Sequence, residues 1–233
     1  MTAPRQHLSV FAKAPRPGFA KTRLVPALGE QGSADLAHKL LTHTLATANA
    51  LPRARIQQLE LRVTADPGDT FFGTWATENN RDGRWQVSEQ QGADLGARMH
   101  HALSDALKEN NRAIIIGTDA PALSTATIEK AFAALAEHDA VFVPAFDGGY
   151  ALVGLRAPIA QIFSQVPWST SSVMAVTRQR LKHLKKSWLE LPGVHDIDEP
   201  ADLEHLPSGW LTTQRPEIES TVADHLNHQT HKE

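Results

Sequence analysis

Ala113-Ile114-Ile115-Ile116-Gly117-Thr118-Asp119-Ala120-Pro121 decides the fold of this 233-residue chain. Three consecutive isoleucines do not alternate apolar with polar. Such a run reads as a parallel strand buried on both faces, which belongs to an α/β protein. Proline has no N–H to give a sheet ladder, so the strand is expected to end at about Asp119. Ligands in open α/β sheets bind outside the carboxyl ends of the strands. Asp119 therefore falls where such a fold keeps its chemistry. The competing reading makes Asp119 a helix cap, but Ser124 and Thr125 are better placed to cap the segment 126–136.

Toward the N-terminus, residues 7–12 (HLSVFA) read as a first strand. The segment after it carries Lys13, Arg16, Lys21 and Arg23 with Pro15, Pro17 and Gly18 among them. That composition is a loop, and a loop after the first strand lies at the ligand edge. Four cations crowded there repel one another unless an anion joins them, and a polyphosphate suits both lysine and arginine. Four is more than a magnesium-bridged diphosphate needs, which points to a triphosphate. The segment lacks the G-x-x-x-x-G-K-[ST] spacing of a P-loop, and no G-x-G-x-x-G follows a strand.

Between the two stretches, a 3.6-residue apolar period (Leu36, Leu40, Leu41, Leu45, Ala48) predicts a helix over 33–50. Residues 58–64 (QLELRVT) alternate and read as a second strand. A short helix over 67–79, a turn over 79–83 and a strand over 85–89 follow. Asp94 then opens a helix running to about 108 along Leu95, Met99, Ala102, Leu103, Ala106 and Leu107. Asp94 is either that helix's N-cap or part of a base-reading loop, in which Gly92 and Gly96 would let a flat ring come close.

Beyond the central stretch, strands 140–144 and 150–155 are expected to pair as a hairpin through Asp147-Gly148-Gly149. The glycines would leave Asp147 beside open space near the site. A short helix over 160–163, a helix over 171–186, a strand over 188–191 and a helix starting at Pro200 complete the pattern. In His195-Asp196-Ile197-Asp198 the carboxylates point to one side and Ile197 to the other. Either aspartate could instead cap the last helix. From 207 to 233 the chain is a polar tail; its His225, His228 and His231 do not make a metal site.

Bulk properties exclude several classes. There are no cysteines, hence no disulfides, thiolate metal sites or thiol nucleophiles. The net charge is −3 with mixed signs, which advertises neither nucleic acid nor a membrane surface. No stretch approaches the roughly 20 apolar residues of a membrane span. A cytoplasmic protein is expected. Two aspartates, Asp119 and Asp198, together with a polyphosphate are the usual way of holding Mg²⁺. The chemistry they serve is displacement at phosphorus, or departure of a nucleoside diphosphate from a sugar.

Six motifs carry a resemblance: FAKAPRPGFAKTRL (11–24), QGADLGARM (91–99), IIIGTDAPALS (114–124), PAFDGGYALVGL (144–155), VPWST (166–170) and HDIDEPADL (195–203). They resemble the nucleotide-diphospho-sugar transferase superfamily. More narrowly, they are similar to small bacterial proteins described as GT-A type glycosyltransferases, whose neighbours include phospholactate guanylyltransferase and molybdenum-cofactor nucleotidyltransferases. The resemblance spans residues 7–206 and implies a domain over 1–206 with a three-layer α/β/α GT-A (Rossmann-like) fold around a mixed, mostly parallel sheet. It implies phosphate contacts at Arg16, Lys21 and Arg23, and base and ribose beside Gly92, Asp94 and Gly96. It implies Mg²⁺ or Mn²⁺ at Asp119 and Asp198, and the transferred or accepting group near Asp147. Lys13 joins the phosphate loop by its position, and Lys21, Asp119 and Asp147 are the expected catalytic groups. Two features depart from the pattern: prolines replace glycines in the first loop, and Asp119 begins no Asp-x-Asp. The expected activity is a nucleotidyltransferase joining a nucleoside triphosphate to a small-molecule acceptor with loss of pyrophosphate. The alternatives are a glycosyltransferase using a nucleotide-sugar, with Asp147 as acceptor base, and a non-catalytic nucleotide-binding module.

Overall fold

Each of the first four strands of the chain is followed by a helix that must cross a sheet face, and that alternation sets the architecture. The computed structural model describes residues 5–56, 58–65, 70–80 and 83–211. The expected histidines at 225, 228 and 231 lie outside these residues, as do the start of the 67–79 helix and the middle of the 79–83 turn. The strands are β1 (Gln6–Ala12), β2 (Leu59–Val63), β3 (Trp85–Glu89), β4 (Arg112–Ile116), β5 (Ala140–Pro144), β6 (Tyr150–Leu155) and β7 (Trp188–Glu190). They form one sheet in the order β3-β2-β1-β4-β6-β5-β7. Only β6 runs against its neighbours β4 and β5; every other pairing is parallel. The sheet is thus mixed and mostly parallel, as expected.

The helices are α1 (Val25–Asn49), α2 (Phe71–Asn79), α3 (Leu95–Ala106), α4 (Thr125–Ala134) and α5 (Val173–His183). The isoleucine run shows how three layers arise. Ile114 and Ile116 face a core built with Leu41, Leu45, Phe72, Ile128 and Phe132, so α1, α2 and α4 cover that face. Ala113 and Ile115 face the opposite core with Met99, Leu103, Met174 and Leu181, so α3 and α5 cover the other. A smaller cluster of Leu24, Leu36, Leu40 and Ile197 closes the end of the molecule. None of the helices among the described residues is long and apolar enough to cross a membrane.

Three expectations change. The central strand ends at Ile116, not Asp119, so Gly117–Asp119 already belong to the connecting loop. Helix α1 starts at Val25 rather than at 33, and Gly29 (φ 69°, ψ 173°) kinks it after the first turn. That kink interrupts the 3.6-residue period, and the first turn was invisible to it. The alternation of β2 does not mark a face toward water: the strand is buried along its whole length. Its Glu60 and Arg62 are 4% exposed each and point between sheet and α3, where Arg62 Nε lies 2.8 Å from Glu60 and Nη2 3.2 Å from Asp105. Alternation signals two environments, and here the polar one is an internal ion pair instead of water.

Candidate functional site

The cleft lies at the carboxyl end of β1 and β4, bounded on its far side by the turn between β5 and β6. It has a volume of about 690 Å³. The segment from Lys13 to Ala20 folds back on itself, with Phe19 and Ala20 N–H groups donating to the Arg16 carbonyl. Lys21 then takes a left-handed backbone (φ 50°), and a 3₁₀ turn at Thr22–Leu24 drives Leu24 into the core. This geometry turns the Lys21 side chain inward, where it is 7% exposed.

The Lys21 ammonium lies 2.6 Å from Asp119 Oδ1 and 3.8 Å from Asp198 Oδ1, and donates to the Ile197 carbonyl. Arg23 Nη1 donates to Asp198 Oδ2 at 2.8 Å and stands 3.7 Å from Glu199. The late segment is pinned from below. Ile197 is buried, and its N–H donates to the Asp119 carbonyl at 2.8 Å. With Ile197 in the core, Asp196 and Asp198 both face the cleft, as the alternation predicts. Neither caps the last helical turn, Pro200–His205. Glu199 is its N-cap, and the Asp202 carboxylate accepts from the N–H groups of Asp198 and Glu199. Likewise Ser124, not Asp119, caps α4 by accepting from Thr127 N–H.

Asp147 sits at the turn between β5 and β6, where its Oδ1 accepts from Gly149 N–H at 2.7 Å. Gly148 has φ +96°, and a Cβ there would come 2.1 Å from the Ser171 carbonyl oxygen. The turn is therefore pressed onto the segment 168–171, and both line the cleft. Asp196 carries the electrostatic strain. Burial first, then the charge of Asp147, with Asp202 and Asp119 adding, pushes its carboxyl up to about 6.

The expected positive surplus is not found. Lys13, Lys21 and Arg23 line the cleft against Asp119, Asp147, Asp196, Asp198 and Glu199. Lys13 also stacks on Phe19 (3.9 Å), and Arg16 packs on the same ring (4.7 Å) without lining the cleft. The sequence showed a basic loop, but the carboxylates that meet it come from three other places in the chain. The excess of cations that pointed to a triphosphate is thereby overturned. Asp119 and Asp198 are brought together, and the ammonium of Lys21 lies between them. Among the described residues no three acidic or imidazole groups form a ready-made metal cluster.

The segment 92–96 sits otherwise than a base-reading loop would. Asp94 is the N-cap of α3, its Oδ1 accepting from Ala97 N–H at 2.7 Å. A Cβ on Gly96 would come 2.3 Å from the Phe163 carbonyl and 2.7 Å from the Trp168 ring, so the chain itself fills that approach. At Gly92 the backbone of Ala97 and Arg98 does the same. Gly92, Asp94 and Gly96 do not line the cleft; Gln90, Leu95 and Met99 do. Sequence reasoning singled out Asp198 and passed over Asp196, though their alternation already put both on one side. It also passed over Tyr150 and Trp168, whose rings meet edge to face at 6.4 Å in the cleft wall.

The model of a family described as "Uncharacterized protein conserved in bacteria (DUF2064)" matches residues 44–170. None of the curated proteins matches the chain. Among solved structures, a "putative nucleotide-diphospho-sugar transferase" from Desulfovibrio desulfuricans G20 is 29% identical, with a TM-score of 0.77 over 85% of this chain and 84% of that one. A CMP:2-keto-3-deoxy-manno-octonic acid synthetase complexed with CTP is 12% identical, with a TM-score of 0.53 over 86% and 96% of the two chains. Rv0371c of Mycobacterium tuberculosis H37Rv, in complex with manganese, is 16% identical, with a TM-score of 0.51 over 86% and 97%. The latter two share the fold alone. The three-layer GT-A type fold implied by the motifs is the one these structures have.

Proposed function

This chain belongs to the DUF2064 family, and we propose that it is a divalent-metal-dependent transferase acting on a nucleotide, with nucleotidyl transfer and release of pyrophosphate as the preferred reaction. The observation that carries the reading is the buried Lys21 ammonium clasped between Asp119 and Asp198 on the floor of the cleft. A positive charge is already accommodated between two carboxylates there. The donors are all oxygen, which suits Mg²⁺ or Mn²⁺ rather than softer metals. The Asp196 carboxyl is raised first by burial and then by the charges of Asp147, Asp202 and Asp119, and that second cause supports the fit of a cation. Asp119 and Asp198 would hold the metal, which when bound supplies charge neutralisation for phosphate oxygens. The names of the neighbours, a nucleotide-diphospho-sugar transferase and a synthetase holding CTP, support a nucleotide as the substrate. We take residues 1–206 as the catalytic domain and 207–233 as an appended tail.

In this reading Lys13, Lys21 and Arg23 receive the phosphates, and Arg16 steadies the loop through Phe19. An acceptor oxygen attacks the α-phosphorus, the bond to the β-phosphate oxygen breaks, and pyrophosphate leaves. The acceptor's proton passes to a carboxylate of the cleft; Asp196, its carboxyl raised to about 6, is the group suited to take it. The second reading, glycosyl transfer, is favoured by one observation: Asp147 is presented at the tip of a tight turn into the cleft. In that reaction the sugar–oxygen bond to a nucleoside diphosphate breaks, and Asp147 takes the acceptor proton.

One experiment separates the two. Each nucleoside triphosphate and each common nucleotide-sugar is added with Mg²⁺, and thermal stabilisation is recorded. Pyrophosphate and nucleoside diphosphate are then assayed with candidate acceptors. Greatest stabilisation by a triphosphate with pyrophosphate formed bears out the first reading. Greatest stabilisation by a nucleotide-sugar with a diphosphate formed reverses it.

A further inference from the structure

We infer that Lys21 makes metal and polyphosphate binding mutually dependent, because it is the resident counter-ion of the two aspartates that a divalent cation must use. The inference rests on the metal–nucleotide reading above and adds how the two ligands depend on each other.

The ammonium has three N–H groups and three oxygens around it: Asp119 Oδ1 at 2.6 Å, Asp198 Oδ1 at 3.8 Å and the Ile197 carbonyl. Lys21 is the buried partner at 7% exposure, whereas the aspartates are 49% and 40% exposed. The carboxylates thus face the cleft and the ammonium lies behind them. Arg23 repeats the arrangement on the other oxygen of Asp198, at 2.8 Å. A divalent cation held by Asp119 and Asp198 would stand beside that ammonium and be repelled by it. For the metal to bind well, Lys21 must leave. An ammonium withdrawn from three oxygens in a largely buried position needs new acceptors. A polyphosphate supplies them.

The same logic runs in reverse. A polyphosphate alone meets Lys21 and Arg23 already paired and a cleft with more carboxylates than cations. A metal on Asp119 and Asp198 frees Lys21 and Arg23 for it. Each ligand releases the partner the other requires, so the coupling is positive and must be reciprocal. The cleft thereby discriminates against free metal and free nucleotide and selects their complex.

The test uses the full chain and Mn²⁺ as probe, titrated without nucleotide and followed by calorimetry or by the paramagnetic resonance of free Mn²⁺. Lys21→Met keeps the stem and removes the charge. It is expected to bind Mn²⁺ about tenfold or more tightly than the wild type, on the scale of ordinary coupling between sites. In the presence of Mn²⁺ its affinity for a fluorescent triphosphate is expected to fall. Lys21→Arg keeps the charge and should keep the weak Mn²⁺ binding. Arg23→Gln removes the competitor on Asp198 alone and should give a smaller gain in the same direction, which keeps the test decisive if Lys21→Met does not fold. If neither neutral variant binds Mn²⁺ more tightly than the wild type, the inference is overturned, while Mn²⁺-dependent triphosphate binding leaves the metal–nucleotide reading standing. If no variant binds Mn²⁺ with or without a triphosphate, both fall.

Discussion

Glu60 and Asp196 are two carboxylates withdrawn from water in one domain, and their protons are held in opposite senses. Burial alone would raise Glu60, but hydrogen bonds from His7, Arg62 and Ser88, and the Arg62 charge, outweigh it and hold the carboxyl down to about 2. Ser9 adds a further donor at 2.9 Å. Asp196 is also raised by burial, and the charges around it push the same way, up to about 6. In the first region every charge has a partner supplied by a neighbouring strand or by α3. In the second the partners run out, and negative charge is left over. A matched cluster holds a fold together; a mismatched one stores an affinity for something the chain does not contain.

The comparison can be broken at either end. The largest effect is expected at Glu60→Ala, which leaves the buried Arg62 guanidinium without its main counter-charge. Unfolding in denaturant should show a loss of roughly 3–5 kcal/mol, with nucleotide affinity of the folded protein unchanged. The acid limb should change too. Glu60 has a depressed value, so its support is present above about 4.5 and is lost as the pH falls toward about 2. The variant should lack that dependence. A loss below about 1 kcal/mol would mean that the cluster is not the structural one.

Next in size is Asp119→Asn. Turnover should fall at least about a hundredfold, since a neutral amide gives up several kcal/mol of charge stabilisation. The melting temperature should fall only modestly, because the side chain is half exposed and an asparagine Oδ1 can still accept from the Lys21 ammonium. Unchanged turnover would remove Asp119 from the metal. Lys21→Ala should then weaken binding of a magnesium-bound triphosphate by about ten- to a hundredfold, the worth of a charge-assisted contact of roughly 1.5–3 kcal/mol. Binding of the bare nucleoside should be spared; an equal loss there would assign Lys21 to folding.

The smallest effect sharpens the contrast. Asp196 has a raised value, so its contribution to stability is fully present below about 3.8 and is lost as the pH rises through about 6. Asp196→Asn should therefore stabilise the protein at pH 7.5 and leave it unchanged near pH 3.5. Allowing for solvent screening, the gain is about 1 kcal/mol, or roughly 2–4 °C in melting temperature. Saturating Mg²⁺ with nucleotide should erase the difference. A variant less stable at pH 7.5 would show Asp196 to be a satisfied group.

The sheet was legible in the sequence because its signals are local. The isoleucine run, the HLSVFA strand and the 3.6-residue face of α1 depend on residues close in sequence. The interior salt bridge of β2 was not legible, because whether Glu60 meets water or Arg62 is settled by α3 packing over it. Gly96 shows the same limit: a small residue promises space, and only the fold decides that Trp168 fills it. In the site, the residue types were visible but not their pairing. The cations of one loop and the carboxylates of three distant segments look like independent binding groups until they are seen to neutralise one another.

Lys21 and the Ile197 carbonyl that accepts from it are 176 residues apart. At about 5–20 residues per second, a ribosome needs roughly 10–35 s to pass from one to the other. Late in that interval a nascent chain can have made β1 to β6 and still lack Asp196 and Asp198, the carboxylates in front of its own lysine. On the proposed function, ligand recognition is therefore a property of finished molecules. Nucleotide protection from proteolysis should report complete synthesis, and a fragment stopping before His195 should gain none.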